Sequence, residues 1–194
     1  MEKRSIQTKT VVLAAVLTAL VIVMQFMGSA IRFGKFSISL VLVPIVIGAA
    51  TCGRKIGAWL GLVFGIIVLA SGDAGDFLVV NAPGTVVTVL VKGILAGYLA
   101  GFVYSLFAKY NKYLATATAA VVCPLVNTGI FLIGCRLFFM ETVSSWAMAL
   151  GYGEDVVKYM FLGLAGGNFV FELILNIVVS PVIVRLINIR EKQL

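Results

Sequence analysis

The stretch FSISLVLVPIVIGAATCGRKIGAWLGLVFG, residues 36–65, places two apolar segments on either side of a short basic turn, GRK. The first segment reaches Cys52 and is interrupted by Pro44, and the second begins near Ile56. A helix that crosses the hydrocarbon core of a bilayer needs about 20 apolar residues. The pattern therefore predicts two short membrane helices joined by a minimal connector.

The whole chain continues this pattern. Of its 194 residues, 61% are apolar and 12% are charged, whereas a soluble domain is about half apolar and a quarter charged. We predict an all-α integral membrane bundle of six transmembrane helices that forms a single domain over residues 1–194. The predicted spans are residues 11–31, 36–52, 56–72, 84–108, 113–139 and 159–184.

The basic residues give this bundle an orientation, because Lys and Arg are enriched in short cytosolic loops. With the N-terminus inside, ten basic residues are cytosolic, and three (Arg32, Lys35 and Lys158) are external. The sequence predicts that both termini are cytosolic. The net charge of +7 follows from this topology, and we expect no nucleic-acid partner. The ten cytosolic residues are Lys3, Arg4, Lys9, Arg54, Lys55, Lys109, Lys112, Arg185, Arg190 and Lys192.

Glycines recur at four-residue spacing on three of the predicted helices. Small residues at this spacing let helix backbones approach each other in a membrane. We therefore expect these glycines to pack helices together within the bundle. The ladders are Gly53, Gly57, Gly61 and Gly65 on span three, Gly93, Gly97 and Gly101 on span four, and Gly163 with Gly167 on span six.

Catalytic and metal-binding patterns are missing from the sequence. The chain has no histidine, which removes the commonest metal ligand and the usual acid–base group at neutral pH. Asp73 and Asp76 fall in an external connector, and no phosphate-binding glycine loop is present. We predict no enzyme activity, no metal and no cofactor in this chain. Residues 140–159, in the largest external connector, are predicted to include a short amphipathic helix at the membrane surface.

Polar residues inside apolar spans are the main candidates for function, because each is costly to place in the hydrocarbon. Lys92 and Glu172 are the deepest of these and do not reach an interface easily. Asn127 and Asn168 could bind a ligand or simply join helices by hydrogen bonds. Arg136 could line a site or extend to the outer headgroups.

The first span carries AVLTA, residues 15–19, which places Ala15 and Ala19 one helical turn apart. Together with six spans, two cytosolic termini, the run 36–65 and NAPGTVVTVLVKGILAG at 81–97, this pattern resembles the substrate-binding S components of energy-coupling factor (ECF) vitamin transporters. The resemblance covers the whole chain and implies a multi-pass protein of a prokaryotic cell membrane.

The resemblance also implies partners. In the family, the alanine face docks on a transmembrane coupling subunit, and two cytosolic ATPase subunits on that partner use the ATP. For Ala15 and Ala19, an internal packing contact is the alternative. The substrate would bind near the external side. The site candidates are Arg32 and Lys35 in the first lid, Asn81 in the second, and Lys92, Asn127, Arg136, Asn168 and Glu172 in the lining.

Four of these candidates are cations: Arg32, Lys35, Lys92 and Arg136. A desolvated cation forms strong charge-assisted hydrogen bonds with a carboxylate, so the expected substrate is a small acidic nutrient such as pantothenate. Riboflavin or another neutral vitamin is an alternative substrate. Two other functions stay open: a proton-coupled secondary transporter that uses Glu172, and a structural subunit of a membrane complex.

Overall fold

The computed structural model describes residues 2–29, 32–33, 36–37 and 40–192, and this part of the chain is almost entirely helical. The predicted all-α class is confirmed. The helices are α1 (Glu2–Ser29), α2 (Leu42–Cys52), α3 (Arg54–Ala70), α4 (Gly75–Val80), α5 (Ala82–Phe107), α6 (Lys112–Phe138), α7 (Met140–Ala149), α8 (Val156–Lys158), a π-helix (Tyr159–Leu164) and α9 (Gly166–Lys192).

Within the described residues, four helices are long and apolar enough to cross a membrane. They are Thr8–Ser29 in α1, Ala82–Phe107, Lys112–Phe138 and Gly166–Ile189 in α9. Helices α2 and α3 correspond to the second and third predicted spans but have only 11 and 17 residues. The number of six spans and the cytosolic position of both termini stay predictions.

The hairpin of α2 and α3, residues 42–70, turns at Gly53, whose φ of 91° favours glycine because a Cβ is strained there. Pro44 does not interrupt α2, which begins only at Leu42. The proline therefore lies in the first turn, where its missing N–H costs no intrahelical hydrogen bond. Upstream, strands β1 (Arg32–Phe33) and β2 (Phe36–Ser37) pair antiparallel, with Phe33 opposite Phe36. The sequence did not predict these strands.

Two glycine ladders bring α3 and α5 into backbone contact. A Cβ on Gly61 would collide with the carbonyl oxygen of Gly93, and a Cβ on Gly93 would collide with that of Gly61. Gly57 and Gly97 are related in the same way. The predicted packing role is confirmed for the glycines of these two ladders except Gly53, which lies in the turn before α3 where an added Cβ meets nothing within 4 Å. The paired glycines give the bundle a central pair of helices without intervening side chains.

The third ladder does not pack helices as predicted. Gly163 lies in the π-helix, where an added Cβ would meet the ring of Tyr159 at 2.6 Å. Gly167 is exposed on α9. The π-helix changes the number of residues per turn, so positions four residues apart no longer share a face.

We predict that Gly61→Ala destabilises the protein, by about 1 to 3 kcal/mol, because the methyl group must push two backbones apart. Gly129→Ala, at a mid-helix position of α6 where an added Cβ meets nothing within 4 Å, is the matched control. It should be neutral or stabilising, because alanine favours helix over glycine by about 1 kcal/mol. Thermal unfolding in detergent measures both changes. Equal unfolding temperatures would contradict the close α3–α5 contact.

The bundle has two different ends. At one end the helices meet in the tight turns at Gly53 and Asn111, whose side chain caps α6 by accepting from the Tyr113 N–H at 2.8 Å. At the other end lie the β1–β2 pair, α4, α7 and α8, which connect the long helices. Helix α7 confirms the short helix predicted in the largest connector. It packs against the bundle through Val143 and Ala147, which are fully buried.

Candidate functional site

A cavity of about 640 Å³ lies at the end of the bundle that carries α4 and α7. Its walls come from α1, α3, α5, α6 and α9, and residues of α4 and α7 cover it. A cavity of this size falls in the range of small-molecule sites. The connectors that the sequence assigns to the external side thus border a ligand-sized cavity.

Lys92 is a cation in this cavity. The side chain extends from α5, and its Nζ lies 5.6 Å from the ring centre of Phe64 on α3 and 5.3 Å from that of Phe131 on α6. Both distances are within the range of cation–π attraction. Among the described residues that line the cavity, Lys92 is the only Lys or Arg. The two rings hold the ammonium group at one place in the wall.

Glu172 on α9 contributes a carboxylate to the same cavity, although the residue is only 1% exposed. The Asn168 Nδ2 donates a hydrogen bond of 3.0 Å to Glu172 Oε1 from one turn away. Lys92 is near enough to Glu172 to interact with it electrostatically. Asn127 on α6 also lines the cavity and is 4% exposed.

Aromatic side chains form the roof. Phe77 of α4 makes edge-to-face contacts with Phe131, Phe139 and Trp146, with ring centres 5.6, 5.0 and 5.4 Å apart. All four residues line the cavity. Such contacts stabilise by about 0.5 to 1.5 kcal/mol each beyond burial, so α4 and α7 are held over the cavity by a connected aromatic cluster.

The structure brings four of the predicted site residues together: Lys92, Asn127, Asn168 and Glu172. Arg136 is not with them. It is exposed near the end of α6, and its Nη1 lies 3.9 Å from the Met140 sulfur. Its position fits the alternative that the side chain extends to the outer headgroups better than a role in lining the site.

The lid candidates have different outcomes. Asn81 does not line the cavity. Its Oδ1 caps α5 by accepting the Gly84 N–H at 2.9 Å. Lys35 and the side chain of Arg32 lie outside the described residues. The cluster of four cations expected from the sequence is therefore reduced, among the described residues, to Lys92.

Several lining residues were missed by the sequence analysis. Gln25 of α1 is buried and donates a hydrogen bond to Asp73 in the α3–α4 connector. Asp73, Asp76 and Glu172 give the described lining three carboxylates against one ammonium group. Gln25 is a polar residue inside an apolar span, so the cost of burying it could have indicated a functional position from the sequence. Phe77 and Phe139 carried no such signal, since phenylalanine is common throughout this chain.

Ala15 and Ala19 are both exposed on α1. This contradicts the alternative that they form an internal packing contact. Thr18, between them, accepts a hydrogen bond of 3.2 Å from the indole Nε1 of Trp59 on α3. Trp59 itself is 51% exposed. The small-residue face of α1 is thus bordered by a tryptophan and is open to a partner or to lipid.

Comparison with known proteins gives two matches over nearly the full chain. A family model described as the substrate-specific component of ECF transporters matches residues 9–187. The chain is also 25% identical over 198 residues to the pantothenic acid transporter PanT of Lactococcus lactis subsp. cremoris, and the alignment covers 94% of each protein. No solved structure gave a significant match.

Proposed function

Since the chain belongs to the family of ECF transporter substrate-specific components, we propose that it binds pantothenate, or a closely similar small acid, in the cavity beneath α4 and α7. The bound vitamin is then delivered into the cell by docking on an ATP-driven ECF module. The position of Lys92, which lies between two aromatic rings and is the one Lys or Arg in the described lining, is the observation that carries the choice of an acidic ligand.

The chemistry of the lining supports this choice. A carboxylate that reaches Lys92 Nζ would form a charge-assisted hydrogen bond, which is about twice as strong as a neutral one. Pantothenate also carries an amide and two hydroxyl groups, and Asn127 and Asn168 can pair with such groups. The dimethyl group of pantothenate is apolar and can pack against the aromatic side chains of the roof. The similarity to a pantothenic acid transporter points in the same direction.

Docking is proposed for the α1 face of Ala15 and Ala19. Small side chains let a partner helix approach closely without clashes, and both alanines are exposed. The proposed partners are a transmembrane coupling subunit and two ATPase subunits, which hydrolyse the ATP. In this arrangement the chain itself uses no cofactor, and the predicted cytosolic termini leave its outer end available for the vitamin.

Pantothenate is expected to raise the thermal stability of the purified chain in detergent. A ligand present at 100 times its dissociation constant stabilises the native state by about 2.7 kcal/mol. Riboflavin is the comparison ligand, because the aromatic cluster around Phe77 would also suit a flat ring system. Stabilisation by riboflavin and not by pantothenate would contradict the proposal and favour a neutral vitamin.

Two further outcomes test the type of function. If no vitamin stabilises the chain, the structural-subunit alternative becomes the better explanation. If the chain alone takes up pantothenate and a protonophore abolishes that uptake, Glu172 would act in a proton-coupled carrier. The proposal requires uptake that depends on the ATPase subunits and on ATP.

A further inference from the structure

We infer that Asn168 and Glu172 form a hydroxyl-reading subsite on α9, which selects acids that carry O–H groups over carboxylates of the same shape without them. This inference rests on the proposed function and assigns different lining residues of one cavity to different parts of the ligand. Lys92 takes the carboxylate, and the Asn168–Glu172 pair takes the hydroxyl groups.

The hydrogen bond within the pair fixes its chemistry. Asn168 Nδ2 donates to Glu172 Oε1 at 3.0 Å, and a carboxylate can only accept. The amide of Asn168 must therefore turn its nitrogen toward Glu172 and keep its oxygen, Oδ1, on the other side. In the part of the chain that the structure describes, Asn168 Oδ1 is buried and has no hydrogen-bond partner. The pair thus holds one acceptor, Asn168 Oδ1, that has no donor among the described residues.

Asn127 extends this acceptor character across the cavity. It comes from α6, its side chain is almost fully buried, and its Oδ1 is likewise without a hydrogen-bond partner among the described residues. Both asparagines line the same cavity. A buried acceptor without a partner costs free energy until a donor reaches it. The matching ligand groups are hydroxyl or amide hydrogens, and a plain hydrocarbon chain would leave these oxygens unpaired.

Asn176 is a second asparagine of α9, and its Oδ1 is likewise buried without a hydrogen-bond partner among the described residues. It lies one turn after Glu172, is 1% exposed, and its Nδ2 donates a hydrogen bond of 2.8 Å to the Glu172 carbonyl oxygen. It does not line the cavity. Asn168 differs because it uses its side chain on the Glu172 carboxylate and reaches the cavity. The two asparagines therefore form a matched pair for mutation.

The test compares two ligands that differ only in their hydroxyl groups. Pantothenate carries two hydroxyls on its acyl part, and N-(3,3-dimethylbutanoyl)-β-alanine keeps the same carbon skeleton, carboxylate and amide without them. Isothermal titration calorimetry on the purified full chain gives both affinities. We expect the wild type to prefer pantothenate by about a hundredfold, since hydrogen bonds to charged or buried groups discriminate strongly.

Variants then assign that preference to residues. Asn168→Ala and Glu172→Gln should each lower the preference by about tenfold or more, because an acceptor is lost. Asn176→Ala should keep the preference. Lys92→Gln should weaken both ligands equally and also keep the preference. The readout is a ratio for one protein sample, so a general loss of stability cancels, and Asn168→Ala serves if Glu172→Gln does not fold.

An unchanged preference in Asn168→Ala would overturn the subsite. So would a wild type that binds both acids with equal affinity, and in that case the proposed function would stand. If the wild type binds neither acid, the proposed function fails together with the subsite. The first two outcomes, in contrast, overturn only the subsite.

Discussion

Replacing Ala15 and Ala19 together by leucine is expected to abolish vitamin uptake by cells that contain the ECF module, while the purified variant binds its ligand normally. Both alanines are exposed on α1, so two leucines add bulk to the proposed docking face without entering the core. Ligand affinity should stay within about twofold of the wild type, because distant sites act independently. Uptake assays, co-purification with the ATPase subunits and calorimetry measure the three properties.

A matched control places similar bulk at the same spacing on another helix. Val178 and Val182 are exposed on α9 and lie one turn apart. Val178→Phe with Val182→Phe should leave uptake and co-purification unchanged. Normal uptake and co-purification in the alanine double variant would show that this face of α1 is not where the module docks.

Neutralising Lys92 is expected to have the largest effect on affinity for an acidic ligand. Lys92→Gln removes one charge-assisted hydrogen bond, worth about 1.5 to 3 kcal/mol, which corresponds to a loss of about ten- to a hundredfold in dissociation constant. Arg136→Gln should change the affinity little, because Arg136 is exposed and outside the cavity. Titration calorimetry with pantothenate compares the two variants.

The Lys92→Gln and Arg136→Gln variants distinguish what the sequence predicts from what the structure predicts. The sequence leaves two roles open for Arg136, lining the site or extending to the outer headgroups, whereas of the two cations the structure places only Lys92 in the cavity. A loss of affinity in Arg136→Gln would show that the exposed arginine reaches the ligand. An unchanged affinity in Lys92→Gln would show that the cavity does not read negative charge, and a neutral ligand such as a flavin would then be the better assignment.

Sequence reasoning located the deep polar residues because burying them in a membrane is costly. Lys92, Asn127, Asn168 and Glu172 interrupt long apolar runs, and all four line one cavity. The same cost argument placed Arg136 among the candidates. It failed there because Arg136 lies near the end of α6, where a long side chain reaches the headgroup region without entering the bundle.

The contacts that sequence could not supply are those between distant segments. Gln25 and Asp73 are 48 residues apart and meet only because α1 packs beside the α3–α4 connector. The aromatic roof depends on how α4 and α7 fold back over the bundle. The π-helix at Tyr159–Leu164 was also missed, because one extra residue per turn leaves the apolar composition unchanged. By contrast, the glycine ladders of α3 and α5 could be predicted, because the four-residue spacing lies within a single helix.

The chain has two tryptophans, and the structure places them in different parts of the molecule. Trp146 lies in the cavity wall beside Phe77, whereas Trp59 is half exposed and hydrogen-bonded to Thr18 between the two alanines of α1. Indole fluorescence depends on local polarity, so the natural sequence holds two optical reporters. With Trp59 replaced by phenylalanine, we expect the emission of Trp146 to report occupancy of the cavity. With Trp146 replaced, we expect the emission of Trp59 to report contact at the proposed docking face of α1. Order of events and rates could then be read from one unlabelled protein.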